Sequence, residues 1–342
     1  MNRFTTAPLM RWESALLLLL VAEIMLFGMV NPRMWNIDTL LYSTSDFITL
    51  GIIALPLTLV IVSGGIDISF GAIVGLCAIV LGILCQNALP LLFALPLTLL
   101  VGLACGLFNA ALILFTGVSP LVITLGTLYL FGGSALLLSG IAGATGFEGI
   151  SSFPSALTDF VNTDVMTLPV PLLFFLIALL FFTVLMHRTR TGRNMFLMGQ
   201  NLRVAQYGAL PIRRTTFILY GMTGLSSAMA AVLMTAYFGS ARADLGSSLL
   251  MSVITAAVLG GANIYGGAGS VIGTAIATLL IGYLQQGLQM AGISSQVSSA
   301  LSGALLILVV IGRSVSLNRN ALRSVFRRYR LRWSASSSLT SK

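Results

Sequence analysis

LPVPLLFFLIALLFFTVLMHRTRTGR, residues 168–193, decides the class of fold. No charge occurs from Leu168 to Met186, and the run then ends on Arg188, Arg190 and Arg193. About 20 mostly apolar residues, at ~1.5 Å rise each, carry a helix across a bilayer. Arginines placed just after such a run mark its cytoplasmic end, because short positive loops are retained inside. The rest of the chain follows the same rule. Hydrophobic residues make up 57% of it and charged residues 8%, against about 25% charged in a soluble domain. A soluble core of 342 residues leaves too much surface facing water to hide that apolar excess. The expected fold is an all-α membrane protein, a polytopic helical bundle.

Working outward from this run, ten spans are expected: 12–30, 47–63, 70–86, 91–115, 121–139, 168–186, 216–237, 249–262, 271–288 and 297–312. Several are short and interrupted by glycine, the pattern of broken or re-entrant helices that line a cavity. Residues 187–215 carry Arg188, Arg190, Arg193, Arg203, Arg213 and Arg214 and no acid, so they belong inside. Residues 140–167 carry Glu148, Asp159 and Asp164 and no base, so they belong outside. Seven arginines follow Ile311. Ten alternating spans with both termini cytoplasmic satisfy all three constraints. The first apolar stretch also resembles a secretory signal behind Arg3 and Arg11. Glu23 interrupts it and no A-x-A-like site follows, so a retained span is expected. Residues 1–315 then form the membrane domain. Residues 316–342 form a basic amphipathic tail, Leu322, Phe326, Tyr329 and Trp333 lying beside an arginine stripe. Such a helix suits the anionic inner leaflet, and membrane lipid is therefore one expected partner. The net charge of +9 reports topology and lipid attraction, not nucleic-acid binding.

Several functions are excluded by what is missing. The only lysine is Lys342, so no phosphate-cradling G-x-x-x-x-G-K-[ST] loop exists and the chain has no P-loop ATPase site. His187 is the only histidine, and Cys77, Cys85 and Cys105 sit in apolar runs without C-x-x-C spacing. Neither a metal nor any other cofactor is expected.

Three stretches break the apolar background. VSGGIDISFG (62–71) reads as a tight glycine turn, with Asp67 capping the following helix. SPLVITLGTLYL (119–130) starts a helix at Pro120, with Thr124 and Thr127 on one face. LGGANIYGGAGSVIG (259–273) contains a near copy of the first: V-x-G-G-x-[DN]-I-x-x-G fits both 62–71 and 258–267. An internal repeat is one reading, since transporters pass substrate at repeat interfaces. Chance likeness over ten positions is the other. Asp67, Thr124, Thr127, Asn263, Gln285 and Gln286 are the candidate pathway residues, their hydroxyls and amides suiting an uncharged, hydroxyl-bearing solute. Interhelical hydrogen bonding would explain any one of them equally well. Glu23, the one acid near mid-span, is expected to face a neighbouring helix or subunit with a hydrogen-bond partner. In the cytoplasmic segment, Asn201 should cap a short helix over 202–210.

GGIDIS (64–69), PLVITLGT (120–127), T-x-x-G-R (189–193) followed by G-x-N (199–201), and VLGG…GGAGSVIGT (258–274) resemble the permease subunits of ribose-type ABC importers. The order of these blocks agrees over residues 10–315. YFGSARADLG (237–246) and GYLQQGLQMAG (282–292) draw the likeness towards those members that import the furanosyl signal autoinducer-2. The resemblance implies a second, homologous permease subunit, cytoplasmic ATPase subunits, a periplasmic substrate-binding protein and a small polyol-like ligand. It maps ATPase coupling onto Gly192, Arg193, Gly199, Asn201 and Ala205 within the loop 187–215. The chain departs from the family at Val204-Ala205, Gly208–Leu210, Leu250 and Ser252, which implies unequal roles for the paired permeases. Ribose or another monosaccharide is the alternative cargo. An ion-coupled secondary transporter is the alternative class, and it wants intramembrane carboxylates where only Glu23 qualifies. A membrane enzyme lacks any nucleophile–base or metal constellation.

Overall fold

The computed structural model describes residues 7–144, 149–151 and 153–294, and of the following segment 296–298, 300–301, 303–305 and 307. Thirteen α-helices, two short 3-10 helices (Pro32–Trp35 and Thr44–Asp46) and one two-stranded hairpin occur among them: α1 Ala7–Val30, α2 Ile37–Ser43, α3 Ile48–Val62, α4 Phe70–Gln86, α5 Leu91–Thr116, α6 Pro120–Ile141, α7 Ser155–Val161, β1 Asp164–Val165, β2 Leu168–Pro169, α8 Val170–Arg188, α9 Arg190–Gln200, α10 Leu202–Tyr207, α11 Ile212–Phe238, α12 Leu249–Leu259 and α13 Val271–Met290. Nine of the ten expected spans coincide with a helix. Of the tenth, 297–312, half the residues are described and these are helical, and the tail 316–342 lies wholly outside the described residues.

Six of the described helices are long and apolar enough to cross a membrane: α1, α5, α6, α8, α11 and α13. A seventh crossing is broken. Ile37–Asp46 and Ile48–Val62 meet at a bend of 63°, where the Phe47 ring packs on Gly282 and stacks edge-on against Tyr283. The expected span over 47–63 is thus the inner part of a longer, kinked one. Outer faces are apolar, as lipid contact demands: Leu92, Phe93, Leu130, Leu137, Ile177 and Leu180 are exposed.

Helices α3, α4, α11 and α13 form the buried centre, and every residue of α3 is buried. Lipid offers no hydrophobic drive between helices, so close backbone approach and dispersion hold them together. The α5–α11 pair illustrates this. A Cβ on Gly106 would overlap the Tyr220 carbonyl, one on Gly224 the Gly102 carbonyl, and one on Gly102 the Ala228 methyl. Gly102 and Gly106 are four apart on one helix, Gly224 and Ala228 on the other. Small residues at this spacing let two backbones touch.

The short helix α12 completes a crossing by joining a non-helical segment rich in turns. Ala241 bridges Ile150 of the outer loop through two backbone hydrogen bonds of 2.9 and 2.8 Å. The chain then runs inward along α4, Ala241 beside Gly82, Ala243 against Gly75 and Gly246 against Gly71. That path covers about 16 Å of helix rise. From Leu249 the helix carries on to the inner end, where the Leu259 carbonyl accepts a hydrogen bond of 2.8 Å from Trp12 Nε1. Residues 239–260 therefore make one crossing, built of consecutive turns in its outer half and helical in its inner half. Non-helical backbone is tolerated at this depth because it packs on α4 on one side and lines a cavity on the other.

Candidate functional site

The segment 239–248, the kinked span and α13 line a cavity of about 630 Å³. Its polar lining is Asp46, Ser240, Arg242, Asp244, Ser247, Ser248, Ser252, Gln285, Gln289 and Ser298; Phe47, Leu50, Met234, Phe238, Leu245 and Leu249 supply the apolar walls. The segment 239–248 breaks helix geometry because Gly239 takes a left-handed conformation, φ 64°, and ends α11. Its side chains are then free to point into the cavity.

The charged groups in the cavity are engaged. Arg242 Nε and Nη2 donate to the two Asp244 carboxylate oxygens at 2.9 and 2.6 Å, a bidentate pair. Tyr237 Oη donates to Asp46 at 2.6 Å. Gln285 Nε2 donates to Ser252 Oγ at 2.9 Å, joining α13 to α12 across the wall. What remains is a lining rich in hydroxyls and carboxamides, with phenylalanine rings alongside. Such a surface exchanges hydrogen bonds with hydroxyl groups and covers C–H faces, and its volume matches a small-molecule site.

Of the six candidate pathway residues, only Gln285 lines this cavity. Asp67, Thr124 and Thr127 are buried elsewhere. Asp67 Oδ1 accepts from Ser69 N at 2.9 Å and Ser69 Oγ at 2.7 Å, and Asn109 Nδ2 donates to that same Oγ at 2.8 Å. Thr124 Oγ1 donates to the Ile66 carbonyl at 3.3 Å. This network ties the returning strand 63–69 to α5 and α6. Asp67 does not cap α4, which begins at Phe70 after Ser69 without a side-chain cap bond; the aspartate closes a local turn instead. Asn263 closes another turn, donating to the Gly266 carbonyl at 3.0 Å. Gln286 and Glu23 are placed between helices, and Gln286 Oε1 and both Glu23 oxygens find no hydrogen-bond partner among the described residues. The partner expected for Glu23 is therefore not seen there.

Asp46, Ser240, Arg242, Asp244, Ser247, Ser248 and Ser252 are not among the pathway residues expected from the sequence, although 237–246 and Ser252 stand out there for other reasons. The signal was there: GSARADLGSS (239–248) is a polar, glycine-bounded run between two apolar stretches. Its weakness is that a surface loop reads identically.

At the inner end, Thr189 Oγ1 caps α9 by accepting from Gly192 N at 3.2 Å. Asn201 Oδ1 caps α10, accepting from Val204 N at 3.1 Å. The helix expected over 202–210 stops at Tyr207, and α9 precedes it as a second helix. The five candidate coupling residues separate into two groups. Arg193 and Asn201 are exposed, whereas Gly192 and Ala205 are buried and Gly199 faces the bundle. Beside them α10 exposes Leu202, Val204 and Tyr207, the last at 92%.

The two glycine motifs meet. Gly267 N donates to the Val62 carbonyl at 2.8 Å, and Gly266 lies against Gly64 and Gly199.

A profile of the family described as "Branched-chain amino acid transport system / permease component" matches residues 39–310. Among curated proteins, the chain is 65% identical over 319 residues to the autoinducer 2 import system permease protein LsrD of Photorhabdus laumondii, covering 93% of this chain and 96% of that one. It is 66% identical to the protein of the same name from Yersinia enterocolitica over the same shares. With that of Escherichia coli O9:H4 the identity is 68% over 312 residues, 91% of this chain and 94% of the relative. No solved structure matches the chain significantly.

Proposed function

This chain belongs to the family of permease components of branched-chain amino acid transport systems, and from that premise we propose that it imports autoinducer-2 as the membrane-spanning subunit of an ABC importer. It is a multi-pass inner-membrane protein. Energy comes from a separate ATPase subunit docked on α9 and α10, where Arg193, Asn201 and the exposed Leu202, Val204 and Tyr207 offer the contact surface. A periplasmic binding protein delivers cargo at the outer face, and a second permease completes the pathway.

The observation that carries the reading of the cargo is the cavity itself. Serine hydroxyls and glutamine amides around phenylalanine faces suit a small, neutral, furanosyl polyol. An ion-coupled mechanism finds less support there, because Asp46 and Asp244 already hold Tyr237 and Arg242. Gln285 is the one proposed pathway residue retained from the sequence; Ser240, Ser247, Ser248, Ser252 and Gln289 join it. Asp67, Thr124, Thr127 and Asn263 act on the pathway by holding backbone, not by lining the cavity.

Uptake by proteoliposomes tests this. With both permeases, the ATPase and the binding protein present, labelled autoinducer-2 should accumulate on ATP addition, and a proton uncoupler should leave the rate unchanged. Accumulation driven by an ion gradient without the ATPase would overturn the reading. Excess ribose in the same assay decides the cargo: efficient competition points to a pentose permease.

A further inference from the structure

We propose that Gly199 is a backbone joint through which movement of α9 and α10 reaches the cavity, an inference that rests on ATP-driven import. Gly199 lies in the last turn of α9, two residues before Asn201, the cap of α10. Its Cα faces two other segments at once. A Cβ there would overlap both the Val62 carbonyl and the Gly267 amide, which are themselves hydrogen-bonded at 2.8 Å. A Cβ on Gly266 would stand 2.8 Å from the Gly199 carbonyl oxygen and 3.0 Å from Gly64 Cα. Gly64, Gly266 and Gly267 all have positive φ, 85°, 85° and 77°, a conformation that glycine adopts without strain. Three stretches far apart in the chain thus touch backbone to backbone.

Each touching stretch leads to the cavity. Val62 ends α3, whose other end places Phe47 and Leu50 in the wall. The loop 260–267 follows α12, whose first turns place Ser248, Leu249 and Ser252 in the opposite wall. At ~1.5 Å per residue, α3 and α12 are struts of about 22 and 16 Å. Side chains at a contact can change rotamer and absorb a small displacement. Contacting backbones cannot, so a push on α9 passes into both struts. The loop holds its shape because Asn263 braces it, accepting from Tyr265 N at 3.3 Å and donating to the Gly266 carbonyl. The near copies of one motif thereby acquire a mechanical role: they form the two halves of a socket for Gly199.

The test uses the complete importer in proteoliposomes. Ser248→Cys is placed at the cavity wall, and its labelling by a membrane-impermeant maleimide is followed with and without ATP and vanadate. Cys77, Cys85 and Cys105 are buried, so background is checked on the chain lacking the new cysteine. With Gly199 intact, nucleotide should change the labelling rate. In Gly199→Ala the ATPase should still co-purify and hydrolyse ATP, while the nucleotide-dependent change in labelling disappears and uptake falls by about tenfold or more. Asn263→Ala, which slackens the socket without adding bulk, should lower uptake by about threefold and shrink the labelling change in the same direction. Should Gly199→Ala fail to assemble, Asn263→Ala decides alone. Full uptake together with full nucleotide-dependent labelling in the variants that assemble would overturn the joint. Uptake by the unaltered complex without any ATPase would instead overturn the import reading.

Discussion

Ser69 shows how much one hydroxyl holds in this protein. It donates to Asp67 Oδ1 at 2.7 Å and accepts from Asn109 Nδ2 at 2.8 Å, and all three residues are fully buried. Ser69→Ala leaves the Asn109 amide without that acceptor and Asp67 with only the backbone donor. Polar groups stranded away from water are costly, although helices in lipid find substitute partners more readily than soluble ones do. The expected loss is about 2 kcal/mol, read as earlier unfolding in a detergent titration. An unchanged titration midpoint would mean that the strand 63–69 is held by its backbone alone. At this scale residue identity was legible and residue role was not. Asp67, Thr124 and Asn263 stood out in the sequence because polar residues are rare there. A rare polar residue in an apolar run serves equally to line a pathway or to pin a turn, and only the positions of Ile66, Ser69 and Gly266 separate the two.

Among the elements, α5 and α11 depend most on having nothing at the interface. Gly106→Leu would drive a side chain into the Tyr220 carbonyl and force the helices apart; the cost should exceed about 3 kcal/mol and empty the membrane of folded protein. Gly132→Ala is the contrasting case, since its Cβ would meet only the Ala72 methyl at 3.9 Å. It should stay within about 0.5 kcal/mol of the parent. Comparing the yield of monodisperse protein after detergent extraction checks both, and equal yields would contradict the packing argument. Helix positions themselves were legible, because an apolar run of spanning length has one way to satisfy its backbone. The non-helical half of the 239–260 crossing was not. GSARADLG carries two charges and two glycines, and nothing local says that it lines a cavity within the bundle instead of a surface loop.

For the whole molecule, the arginine distribution sets sidedness and the fold agrees with it. Ile150, in the chain segment before α8, meets Ala241, and Gly199, in the segment after α8, meets the two glycine loops. Both Arg203 and Asp159 are exposed. In right-side-out vesicles an impermeant thiol reagent should modify Asp159→Cys at once and Arg203→Cys only after permeabilisation. The reverse pattern would invert the topology and place the proposed ATPase surface outside.

The run 168–193 and its counterparts determined the solvent, the approximate crossings and the side on which the arginines lie, because hydropathy and loop charge act through local composition. Local chemistry likewise announced the cap at Asn201. Tertiary structure alone decided that the motifs at 62–71 and 258–267 touch each other and Gly199, and that the cavity belongs to the serines of 240–252 beside Gln285. In lipid nearly every face of a helix is apolar, so periodicity no longer marks which face is inward. Contacts between residues two hundred positions apart then follow from the packing of backbones, which no short stretch of sequence encodes.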